Sequence, residues 1–183
     1  VKVEKTTLRD VLVLTPKVHG DGRGFFLERY NRSQFLDDTG VDPAFVQDNH
    51  SGSTRGVLRG LHYQIRQPQG KLIWAISGEI FDIAVDLRAS SPTFGGAAGL
   101  RLSAANRRMA WIPPGFAHGF LVLSETAEVM YKATDFYAPE HERTLLWNDP
   151  ELGIEWPLAE VGEPVLSEKD RKGRTFATAE RFE

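Results

Sequence analysis

The sequence contains no cysteine, which excludes disulfides and thiolate metal ligands and by itself fits any compartment. No apolar run approaches the roughly 20 residues that a membrane-spanning helix needs. Positive charge is not in excess. Lys and Arg number 22 against 25 Asp and Glu, a formal net charge of −3, which gives no support for a general nucleic-acid or anionic-membrane surface. An anionic ligand would have to be held by local arginines and lysines. The opening VKVEKTTLRD shows no signal-peptide pattern, so the cytoplasm is the expected location. Internal repeats, low-complexity tracts and linker composition are absent, and helical periodicity is weak. Residues 1–183 therefore read as one domain, long enough to bury its own core.

What the sequence does have is short β-patterned runs. VLVLTP (11–16), GFFLERY (24–30), AFVQDNH (44–50), VLRGLHYQ (57–64), KLIWAISG (71–78) and EIFDIAVDLR (79–88) are separated by turn residues. GLRLSA (99–104), RMAWIPP (108–114), GFLVLS (119–124) and EVMYKATDFY (128–137) continue the series. One helix is expected at NRSQFLDDTG (31–40), capped by Asn31 or Ser33 and ended by Gly40. That many strands at this spacing predict a closed sandwich or barrel, with the irregular segment beyond Pro139 wrapping around it.

Polar residues inside these strands carry the chemistry. In VLRGLHYQ, Arg59 and His62 stand three apart, so strict alternation would send them to opposite faces. A bulge at Gly60 would bring both to one pocket. In EIFDIAVDLR, Asp86 is expected to face solvent, whereas Asp82 could face a lumen. Tyr131 alone reads as a core aromatic, and Lys71 alone as a solvated strand end. Together with His62 they make a set. His62 can take a proton near neutral pH, Tyr131 can donate one, and Lys71 can steady an anion. Arg23, Arg59 and Lys169 could hold phosphates. Proton removal beside a carbonyl, with return from the other face, uses this set completely. That is racemisation or epimerisation.

IPPGFAHGF (112–120) resembles the second motif of the cupin superfamily, which implies a mainly β, jelly-roll β-barrel with short helices. The first cupin motif would be His62-Tyr63-Gln64, with Pro68 and Gln69 at the glutamate positions. Two of the four expected ligands are missing, so no dedicated metal site and no cofactor are expected.

A longer resemblance is more specific. PKVHGDGRGFFLERYN, FVQDNHSGSTRGVLRGLHYQ, GKLIWAISGEIFDIAVDLR, IPPGFAHGF, YKATDFYAPEHERTLLWNDPELGIEWP and LSEKD resemble the dTDP-4-dehydrorhamnose 3,5-epimerase family, in order, from about Leu14 to Asp170. The resemblance implies the substrate dTDP-4-dehydro-6-deoxy-D-glucose, inversion at carbons 3 and 5, and a homodimer. It implies His62 as general base, Tyr131 as general acid and Lys71 beside the enolate oxygen. Asp170 would orient His62, with Asp82 as a rival. His118 would touch the substrate and Tyr137 would stack on the thymine. Arg23, Glu28, Gln47, Asn49, Arg59, Glu142 and Lys169 would bind nucleotide, diphosphate or sugar. His50 and His141 read as loop residues without a role, and Trp74, Trp111, Trp147 and Trp156 as packing. The alternatives are a mono-epimerase inverting carbon 3 or 5 only, a metal-dependent cupin, and a non-enzymatic sugar-binding cupin.

Overall fold

The computed structural model describes all residues, 1–183. Its strands are β1 (Lys2–Lys5), β2 (Leu12–Thr15), β3 (Val18–Asp21), β4 (Gly24–Leu27), β5 (Gln47–Thr54), β6 (Leu58–Gln64) and β7 (Lys71–Ser77). Next come β8 (Glu79–Asp86), β9 (Ala97–Ser103), β10 (Met109–Ile112), β11 (Phe116–Val122), β12 (Thr126–Ala133) and β13 (Glu142–Thr144). Two antiparallel sheets face each other, one ordered β1-β2-β10-β7-β12-β5 and the other β13-β6-β11-β8-β9, with β3-β4 as a separate hairpin. This is the expected jelly-roll barrel. Helix α1 (Arg32–Thr39) starts where Asn31 accepts a bond from the Gln34 amide and stops at Gly40, whose φ of 74° is left-handed.

Alternation along the strands sorts the side chains. Ile73, Ile80, Ala84, Phe120, Val122 and Val129 meet between the sheets. The opposite parity packs outward. Leu61, Tyr63, Ile83, Val85 and Leu87 lie beneath the C-terminal segment. On the other sheet, Trp74 and Trp111 are covered by Phe35 of α1, while Trp147 and Trp156 pack in the wrap. Isolated bridges Val57↔Val165, Leu145↔Arg174 and Arg88↔Phe182 lace the wrap to the barrel.

This coverage reverses the expectation for Asp86. The apolar parity of β8 faces the wrap, so Asp82 and Asp86 point into the barrel, and both are fully buried. Burial opposes the charge of Asp86, but bonds from Arg88, Ser91 and Thr93 hold its pKa down at about 2. His50 is likewise not a loop residue. It lies in β5 and meets Glu128 of β12 at 2.8 Å.

The bulge expected at Gly60 is present. On β11, His118 pairs with His62 and Phe120 pairs with Arg59, so two residues of β6, Gly60 and Leu61, oppose the single Gly119. A Cβ on Gly60 would stand 2.6 Å from the His118 carbonyl oxygen, and its φ of 111° is one that L side chains rarely adopt. Gly119 meets the same constraint from the other strand, since a Cβ there would lie 2.5 Å from the Arg59 carbonyl oxygen. Arg59 and His62 thereby both reach the interior cavity. Gly119→Ala should therefore lower stability by roughly 1–3 kcal/mol through overpacking, measured by urea denaturation. An unchanged midpoint would mean that the two strands do not need this approach.

Candidate active site

The cavity opens between the sheets, with a volume of about 180 Å³. From the five-stranded sheet it receives Arg59, His62 and Gln64 of β6, His118 and Phe120 of β11, and Glu142 of β13. From the six-stranded sheet come Lys71, the first residue of β7, and Tyr131 of β12, with Tyr137 just beyond.

His62 is held by the wrap. Its Nε2 lies 2.5 Å from Oδ1 of Asp170. Asp170 belongs to α3 (Glu168–Arg171), the last helix after α2 (Leu158–Val161). Ser167 caps α3 by accepting from the Asp170 amide at 3.1 Å, and its hydroxyl donates to Asp170 Oδ2 at 2.8 Å. Asp170 is only 3% exposed. Burial opposes its charge, but the bonds from His62 and Ser167 and the nearby Lys169 outweigh that and keep its pKa below the ordinary value. A charged carboxylate can only accept, so in neutral His62 the proton sits on Nε2. Nδ1 keeps its lone pair, which is what a general base needs.

His118 stands opposite His62 in the strand register. Its Nε2 is 2.7 Å from Oδ2 of Asp82, so the second carboxylate serves the second histidine. The other oxygen of Asp82 is buried and has no hydrogen-bond partner. No group of three or more His, Asp or Glu is arranged to hold a metal ion.

Lys71 is not a solvated strand end. It is buried, and burial drives its pKa down to about 8, with Asp82 and Glu142 opposing the shift. Tyr131 packs against the central core and also lines the cavity. Burial raises its pKa, Glu142 adds to this and Arg59 opposes it, so the phenol is protonated near neutral pH.

The rim is a chain of three residues. The Tyr137 hydroxyl donates to Glu142 Oε2 at 3.0 Å, and Lys169 Nζ donates to Glu142 Oε1 at 2.9 Å. Glu142 opens the short strand β13 and is joined to both neighbours. Burial opposes its ionisation, but Lys169 and Tyr137 hold its pKa down.

Other expected residues lie outside the cavity. Gln47 and Asn49 sit on β5, joined at 3.1 Å, and Gln47 Oε1 accepts the Tyr137 amide at 2.9 Å. Arg23 is at the tip of the β3-β4 hairpin, exposed and bound to Asp21. Glu28 follows β4 and accepts a 3.4 Å bond from Asn31. Sequence reasoning missed Ser51, Gln69 and Phe120, which also line the cavity. It also missed Ser167, which the pattern Ser167-Glu168-Lys169-Asp170 could have revealed as a helix cap.

The dTDP-4-dehydrorhamnose 3,5-epimerase family model matches residues 5–178. The chain belongs to this family. It is 61% identical over 182 residues to the dTDP-4-dehydrorhamnose 3,5-epimerase of Pseudomonas aeruginosa, covering 100% of this chain and 99% of the relative. A crystal structure of dTDP-6-deoxy-D-glucose-3,5-epimerase from Legionella pneumophila, in complex with dTDP-4-keto-L-rhamnose, superposes with a TM-score of 0.94. Its identity to this chain is 45%, with 98% of this chain and 94% of that one covered. A 3'-monoepimerase from Streptomyces bikiniensis in complex with dTDP-quinovose is also similar, with a TM-score of 0.88 and 34% identity over 96% of this chain and 88% of that one.

Lys71 offers a test of the site's electrostatics. Its folded-state pKa is depressed, so between about 8 and the ordinary 10.5 the unfolded chain binds a proton that the folded chain does not. Stability therefore rises with pH across that window. Lys71→Met should be more stable than the wild type near neutral pH, by roughly 1–3 kcal/mol. The gain should shrink as pH rises through the window. A Lys71→Met protein that is less stable near neutrality would show that the lysine is not held at a cost.

Proposed function

We propose that this protein is a dTDP-4-dehydrorhamnose 3,5-epimerase, an isomerase that converts dTDP-4-dehydro-6-deoxy-D-glucose to dTDP-4-dehydro-6-deoxy-L-mannose in dTDP-L-rhamnose biosynthesis. The observation that carries the mechanism is that His62 and Tyr131 enter one cavity from facing sheets. A single base can only remove a proton and return it to the same side. Inversion needs a donor across the ring, and Tyr131 is that donor.

The 4-keto group acidifies the hydrogens on carbons 3 and 5. His62, oriented by Asp170, takes the proton through Nδ1, and negative charge moves to the keto oxygen. The Lys71 ammonium, in a cavity where charge is poorly screened, stabilises that oxygen. Tyr131 then delivers its proton to the opposite face. His118, with its Nε2 on Asp82, contacts the sugar or diphosphate. Arg59 and Lys169 hold the diphosphate with a fork and a point charge. Tyr137 stacks on the thymine, beside Gln47, Asn49 and Glu142.

Arg23 and Glu28 need a second copy to reach a site. Their hairpin carries Phe25 and Phe26, which are 64% and 71% exposed, as expected of a surface that a partner covers. We therefore infer a homodimer, for which light scattering should give twice the chain mass; a monomer at micromolar concentration would contradict it. No helix is long and apolar enough to cross a membrane, and the cytoplasm is the inferred location.

The reaction itself is tested by proton NMR of the 4-keto sugar nucleotide in deuterated water. His62→Ala should slow exchange at both carbons by about 10²–10⁴-fold, the usual contribution of a general base. Tyr131→Phe keeps the ring, so it should still wash deuterium into at least one carbon while forming inverted product much more slowly. The assignment of the donor fails if Tyr131→Phe inverts at the wild-type rate.

A further inference from the structure

Residues 135–138 follow the end of β12, with Phe136 61% and Tyr137 53% exposed, Ala138 buried, and Tyr137 lining the cavity. An exposed connecting segment normally leaves its backbone groups to water. This one is held by side-chain amides. Gln69 Nε2 donates to the Asp135 carbonyl at 2.8 Å, and Gln47 Oε1 accepts the Tyr137 amide at 2.9 Å. Gln64 contributes the remaining two bonds, its Nε2 donating to the Phe136 carbonyl at 3.2 Å and its Oε1 accepting the Ala138 amide at 2.9 Å. Three glutamines thus fix one backbone group of each of four consecutive residues.

Gln64 is the centre of this clamp. It is only 4% exposed, and Nε2 also donates to the Gln67 carbonyl at 2.8 Å, tying in the turn before β7. With three bonds to backbone, little of its amide is left for a ligand. Across the sheet, Gln64 pairs with Glu142, whose carboxylate accepts from the Tyr137 hydroxyl. One cross-strand pair therefore fixes both the backbone beside Tyr137 and the tip of its ring.

We propose that Gln64 is a positioning residue, which holds Tyr137 as a preformed wall for the base of a nucleotide ligand. This rests on the nucleotide reading of the site given above. Fixing an exposed aromatic before the ligand arrives removes an ordering cost that would otherwise weaken binding. The glutamine at the place where metal-binding cupins carry a second histidine thus has work of its own.

The experiment is a double-mutant cycle of Gln64→Met and Tyr137→Ala. It reads dTDP affinity by calorimetry, kcat and KM by turnover, and amide hydrogen exchange over residues 135–138. Gln64→Met keeps length and removes both ends of the amide. It should weaken dTDP binding about 10-fold, because two of its three lost hydrogen bonds are those that hold the segment beside Tyr137. KM should rise in parallel, kcat should stay within about 3-fold, and exchange over 135–138 should quicken. In the Tyr137→Ala background the same change should weaken dTDP by less than about 2-fold, because the wall is already gone. Equal weakening in both backgrounds would overturn the proposal, as would unaltered affinity in a folded variant. Should Gln64→Met not fold, Gln69→Met removes one bond from the same segment and is read in the same way. It is expected to weaken binding about 3-fold. Wild-type protein that fails to bind dTDP would sink the nucleotide reading instead, and the exchange measurement would still decide whether Gln64 holds the segment.

Discussion

The contact between Asp170 and His62 joins residues 108 apart in the chain, and the rest of the site depends on it. Without the carboxylate, His62 is an imidazole on a strand, free to carry its proton on either nitrogen. With it, one nitrogen is committed and the other keeps its lone pair. The C-terminal wrap is what delivers this group. Its bridge at Val57↔Val165 seats the segment beside the start of β6, and Ser167 then turns the chain into α3 with Asp170 in the first turn. The wrap also covers the outer face of the five-stranded sheet, so packing and chemistry are secured by one segment.

The barrel supplies the second requirement, which is two sides. His62 and Tyr131 belong to different sheets, so a ring lying between them would meet the two on opposite faces, as the proposed base and acid require. The bulge at Gly60 adds Arg59 to the same cavity, which strict alternation would forbid. The site is expensive to fold. It buries Lys71, Asp82 and Asp170, each unfavourable without partners. Asp82 and Asp170 find histidines, whereas the charge of Lys71 is favoured only by the nearby Asp82 and Glu142; in the proposed mechanism its ammonium meets the enolate oxygen. A group kept at such a cost is better explained by transition-state stabilisation than by folding.

Local signals in the sequence carried the fold well. Asn31 and Gly40 bracket α1 because capping chemistry is local, and the strands followed alternation and turn residues. Failures came where a partner is distant. Asp86 looked solvent-facing because nothing near it in sequence announces that the wrap covers the other parity of β8. Lys71, read alone, looked solvated for the same reason, since its surroundings come from strands far along the chain. His50 was read as a loop residue because the expected strand AFVQDNH ends on it, whereas β5 runs on from Gln47 to Thr54 through residues with little β-pattern. The choice between Asp82 and Asp170 could not be made from spacing, as two histidines and two carboxylates can pair in two ways. The fold places Asp82 on β8, beside His118 of β11, and brings Asp170 to His62 through the wrap. Glu28 was named only through resemblance and Arg23 through its charge as well, and a single chain does not bring either to the cavity.

The central claim is that a charged Asp170 commits the proton of neutral His62 to Nε2 and leaves Nδ1 as the base. Nitrogen-15 NMR of imidazole-labelled protein reads this directly, at a pH where His62 is neutral, with His62→Asn identifying its resonances. The expected spectrum shows a protonated, pyrrole-type Nε2 and an unprotonated, pyridine-type Nδ1. The opposite tautomer, with the proton on Nδ1, would contradict the account.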